Sequence, residues 1–70
     1  MYITITQAPT AEQIKKFNMK ISEEDTYINY KVDFLQFDDA LLKAFIETFN
    51  VSAELVKERD SVTLTQYAEI

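Results

Sequence analysis

Apolar positions recur at helical spacing over residues 37–50 and alternate with polar positions over residues 2–6 and 26–36. In the helical pattern Leu41, Leu42, Phe45, Ile46 and Phe49 form one broad apolar stripe, with Lys43, Glu47 and Thr48 on the opposite side. Asp38 is placed to cap the N-terminus, because its carboxylate can accept from the unpaired amides of the first turn. Asp39 adds negative charge at the positive end of the helix dipole. Phe37 and Leu42 have the spacing of a hydrophobic staple. Asn50 is the best left-handed C-cap in a chain without Gly. The segment reads as one amphipathic helix, and its stripe as the side that the rest of the chain covers.

Tyr2 to Thr6 reads as a strand, with Ile3 and Ile5 inward and Tyr2, Thr4 and Thr6 outward. Gln7-Ala8-Pro9 ends it. Thr10-Ala11-Glu12-Gln13 has the form of a capping box, in which Thr10 caps and Gln13 reaches back. Ala11, Ile14 and Phe17 share one face of the short helix that follows, which ends around Asn18 to Lys20. Ser22-Glu23-Glu24-Asp25 reads as a polar connector. Thr26 to Gln36 is the longest strand. Ile28, Tyr30, Val32 and Phe34 form one of its faces, and Tyr27, Asn29, Lys31, Asp33 and Leu35 the other. After the second helix, Ala53 to Glu58 and Val62 to Tyr67 read as two further strands that turn at Arg59-Asp60-Ser61. That turn lacks Gly, so a longer loop built on a type I turn is expected.

The predicted order is β-α-β-α-β-β, in a single domain over residues 1–70. An α+β fold fits this order: a four-stranded mixed sheet with two helices packed on one face. In an alternative, the first helix melts into a loop and one helix packs on a curled sheet. No internal repeat, linker or low-complexity segment interrupts the chain.

Composition adds a size limit and a charge. A domain of this length buries about 60% of its unfolded surface, so its stability is thin. There is no Cys to add a disulfide or a thiolate zinc site. The apolar content of 47% suffices for a core and excludes disorder by composition. No apolar run reaches the length of a membrane span, and the N-terminus lacks the regions of a signal peptide, so a soluble, cytoplasmic protein is expected. The net charge is −5, from 12 acidic and 7 basic residues. This disfavours direct binding to nucleic acid or to an anionic membrane, both of which reward Lys and Arg.

The residue inventory closes most catalytic chemistry. There is no His to act as general base or metal ligand, and no Cys nucleophile. The three Ser have no His to activate them. With no Gly, phosphate-binding loops and dinucleotide turns are ruled out, since both need close backbone approach. Asp38 and Asp39 are accounted for by helix capping. Glu23-Glu24-Asp25 lacks the alternating ligands and turn Gly of a calcium loop. No catalytic residue, cofactor or bound metal is therefore expected.

What remains is binding. If Ile28, Tyr30, Val32 and Phe34 face the helices, the opposite sheet face carries Tyr27, Asn29, Lys31 and Asp33. The neighbouring strands then supply Glu54, Val56 and Glu58, and Thr63, Thr65 and Tyr67, with Tyr2 and Thr4 joining them. Tyr is enriched in interface cores. The expected partner-binding set is Tyr27, Asn29, Asp33, Glu54, Val56, Glu58, Thr65 and Tyr67, and the expected partner a larger protein with a basic surface. In size and composition alone, the chain is similar to the short inhibitors that phages and mobile elements carry against host nucleic-acid enzymes. The sequence reading is thus a non-catalytic protein-binding module, an inhibitor or modulator that occludes a basic surface. The alternatives are a homo-oligomeric structural or adaptor domain, with a homodimer as its simplest form, and more distantly a carboxylate enzyme or weak divalent-ion binder.

Overall fold

The computed structural model describes residues 2–67. Its elements run β1 (Tyr2–Thr4), α1 (Ala11–Lys16), β2 (Lys20–Glu23), β3 (Tyr27–Asp33), α2 (Asp39–Phe49), α3 (Ala53–Glu58) and β4 (Ser61–Tyr67). The strands form one sheet in the order β1-β4-β3-β2. β1 lies parallel to β4, whereas β4 with β3 and β3 with β2 are antiparallel. The class is α+β and the four-stranded sheet is mixed, as the patterning predicts.

The helix ends follow from their residues. Asp38 Oδ1 accepts from the Leu41 amide at 2.7 Å, and Asn50 is left-handed with φ 52°. In α1 the capping box closes: the Gln13 amide donates to Thr10 Oγ1 at 3.2 Å, and the Thr10 amide donates to Gln13 Oε1 at 2.9 Å.

Two segments differ from the sequence reading, and with them the element order. Lys20–Glu23 is a strand, not the end of a helix and a connector. Its cause lies just upstream. Asn18 turns left-handed at φ 52°, and the Met19 amide donates back to the Ile14 carbonyl at 3.0 Å. This is the hydrogen bonding of a Schellman stop. It ends α1 early, buries Met19 and turns the chain back alongside β3. β3 itself stops at Asp33, whose Oδ1 takes the Leu35 amide at 3.0 Å in a side-chain turn.

Ala53–Glu58 is a helix, not a strand. Ala, Glu, Leu and Lys are strong helix formers, and Val56 is the only residue of the six that favours a strand. Its inward residues, Leu55 and Val56, are adjacent in sequence rather than alternate. The expected hairpin of the last two strands is therefore replaced by the β2–β3 hairpin. β4 lies inside the sheet, between β1 and β3.

All three helical segments contribute to one core against one sheet face. Phe17 at the end of α1, Phe45 of α2 and Val56 of α3 meet Tyr30 and Val32 of β3 and Val62 and Leu64 of β4. The chain's five phenylalanines form a continuous cluster, with ring centroids 4.9 to 6.3 Å apart. Phe45 is fully buried at its centre. No helix among the described residues is long and apolar enough to cross a membrane. Among the described residues, no helix covers the opposite sheet face.

Candidate functional site

Residues 27, 29, 31 and 33 of β3 point away from the helices because side chains alternate along a strand. Register then decides their neighbours. Tyr27 lies opposite Tyr67, Asn29 opposite Thr65, Lys31 opposite Thr63, and Asp33 opposite Ser61. On one flank β1 brings Tyr2 beside Thr63 and Thr4 beside Thr65. On the other, β2 brings Lys20 beside Lys31 and Ser22 beside Asn29.

Five of the expected binding residues therefore share one surface: Tyr27, Asn29, Asp33, Thr65 and Tyr67. Tyr2 and Thr4 join them. The other three do not. Glu54, Val56 and Glu58 belong to α3 in the helix layer, because their segment is a helix rather than a strand. Val56 is 3% exposed and part of the core, so it cannot meet a partner; Glu54 and Glu58 are exposed on α3, outside the sheet.

The outer face is not flat. Tyr2, Thr4, Tyr27, Asn29, Thr65 and Tyr67 line a concavity of about 320 Å³. Its floor is polar and tied together: Thr65 Oγ1 donates to Asn29 Oδ1 at 2.9 Å. Its walls are aromatic. The Tyr27 and Tyr67 rings stand 6.0 Å apart at 54°, and Tyr2 and Tyr67 are 73% and 59% exposed. Among the large apolar side chains of the described residues, only Ile21 and Leu35 are also exposed.

The charge around this concavity comes from a segment that the sequence reading treats as a connector. The Glu24 amide donates to the Tyr27 carbonyl at 2.8 Å, so the β2–β3 turn continues the row of the tyrosine pair. Ser22 Oγ lies 3.5 Å from Glu24 Oε1, which places that carboxylate beside the outer-face residues Ser22 and Asn29. Glu23, Glu24 and Asp25 also line a wider hollow of about 850 Å³, with Tyr27 and Tyr67 as its shared wall. The alternation of Lys20, Ser22 and Glu24 was the available signal for this strand. It was weak because no residue of β2 is buried.

Lysines occupy the other end of the face. Lys20 and Lys31 lie directly opposite each other and line a separate hollow of about 360 Å³ with Asp33. The surface is thus polarised, with carboxylates beside the tyrosine pair and ammonium groups further along β3. Among the described residues no group of three or more carboxylates is arranged to hold a metal ion. No family model, curated protein or solved structure matches this chain. Its function has to be argued from this surface.

Proposed function

We propose that this chain is a non-catalytic protein-binding module, and that its outer sheet face covers a basic region of a larger protein and so inhibits or modulates it. The observation that supports this reading is that Tyr2, Tyr27 and Tyr67 line one concavity, which no helix of the described residues covers. Tyrosine gives a large contact area for few rotatable bonds, and buried aromatic anchors dominate the energetics of interfaces. A sheet whose other face already holds the core needs no second apolar face for stability. The carboxylates of Glu23, Glu24 and Asp25 would steer a basic partner to this end of the face.

The test is retention on immobilised protein. The parent, the Tyr27→Ala/Tyr67→Ala double variant and the Glu54→Gln/Glu58→Gln double variant are compared, each checked for an unchanged fold. The expected partner is retained by the parent and by the glutamate variant, and not by the tyrosine variant. A partner retained equally by all three places the interface elsewhere.

A further inference from the structure

The tyrosine concavity has a chemistry more specific than a general contact surface. One wall is the Tyr27–Tyr67 pair, whose rings pack against each other with centroids 6.0 Å apart, and Tyr2 also lines the site. Its floor offers acceptors: once Thr65 has given its hydrogen to Asn29, the Thr65 hydroxyl oxygen keeps lone pairs, and the Asn29 carbonyl oxygen keeps one. The Glu24 carboxylate stands beside Ser22, the β2 neighbour of the lining residue Asn29. A guest that suits all three has an apolar, planar face to stack on tyrosine, several N–H donors at its edge, and a positive charge. At about 320 Å³ the site is at the low end of ligand pockets, the scale of one side chain.

We infer that the concavity seats an arginine side chain of the partner protein. The inference rests on the protein-binding reading above. A guanidinium is planar and weakly hydrated, stacks on aromatic rings, and carries five donors in a rigid fork. A lysine ammonium carries the charge without the plane. A nucleobase carries the plane without the charge, and its phosphates would meet Glu24 and a chain of net charge −5. A second copy of this chain is a poorer occupant, because each copy holds a single Arg, Arg59, next to α3 in the helix layer.

The experiment titrates the full chain with three blocked tripeptides that differ only in their central residue: arginine, its uncharged isostere citrulline, and lysine. The readout is the tyrosine ring and backbone amide resonances. The arginine peptide should saturably shift the Tyr27 and Tyr67 rings and the amides of Asn29 and Thr65. Citrulline and lysine peptides should bind about three- to tenfold more weakly, the scale of a cation–π contact near the surface. Tyr67→Leu and Glu24→Gln should each weaken the arginine peptide, and Glu54→Gln, which removes the same charge from the helix layer, should not. Both site variants keep the core intact, and their amide spectra report the fold directly. Equal response to citrulline, equal sensitivity to Glu54→Gln, or no shift at these residues would each overturn the arginine assignment. If the outer face nevertheless proves to contact a partner, the binding-module reading stands and the guest is a different side chain.

Discussion

Thr65 donates its hydroxyl hydrogen to Oδ1 of Asn29 at 2.9 Å, and it does so at 4% exposure on the uncovered face of the sheet. A threonine on an open strand face is ordinarily half exposed. Here it lies between Thr4 of β1 and Asn29 of β3 in the register, and its hydroxyl is paired. Thr65→Val keeps the shape and removes the bond. It should cost about 1 kcal/mol, since Asn29 is only half-buried and water can replace its partner. For a domain of this size that is a fall of about 4–8 °C in Tm. Thermal melts followed by circular dichroism check it.

The centre of the core is more demanding. Phe45 is fully buried among the other phenylalanines, and Phe45→Ala should cost about 3–5 kcal/mol. That is most of the stability available to so small a domain. Leu35→Ala is the control, because Leu35 is 75% exposed and should change stability by less than about 0.5 kcal/mol. Urea unfolding of the two variants measures the contrast.

Two asparagines do the work that glycine usually does. Asn18 and Asn50 both hold φ 52°, in a chain with no Gly. A residue with a full Cβ there costs about 1–2 kcal/mol, and Asn lowers that strain by local hydrogen bonding. Asn18→Ala and Asn50→Ala should therefore each destabilise by about 1 kcal/mol. Asn18→Gly should be near neutral, which a shared denaturation series will show.

The assignment of α3 as a helix has its own test. Ser52 occupies the N-cap position but makes no side-chain cap bond. Ser52→Asp should supply one, together with a charge suited to the helix dipole, and stabilise by about 0.5–1 kcal/mol. In a strand the same change would be neutral or unfavourable. The shift in urea midpoint separates the two.

How much of this was readable in the sequence depended on length and burial. α2 could be read residue by residue, because its stripe, its aspartate cap and its asparagine stop agree. The two faces of β3 were readable too, since a period of two alone assigns them. β2 and α3 were not. Lys20–Glu23 buries nothing, so its pairing leaves no hydrophobic signal. Ala53–Glu58 spans six residues, too few for a helical period to show against an alternating one. The same limits shaped the candidate site. Tyr27, Asn29, Thr65 and Tyr67 came together because alternation puts them on one face and β4 pairs with β3. The three α3 residues fell away with the strand that was expected to carry them. The carboxylates that replace them sit in a hairpin turn whose position only tertiary pairing reveals.

We propose that the outer sheet face, and not the helix layer, meets a partner. The most direct measurement places a photo-crosslinking phenylalanine analogue at Tyr67 in one protein and at Glu47, exposed on α2, in another. Both are irradiated in the same lysate, with and without excess unlabelled parent. Position 67 should give one discrete adduct, suppressed by the parent and only weakly by the Tyr27→Ala/Tyr67→Ala competitor, and position 47 none. A competable adduct from position 47, with none from position 67, would contradict it.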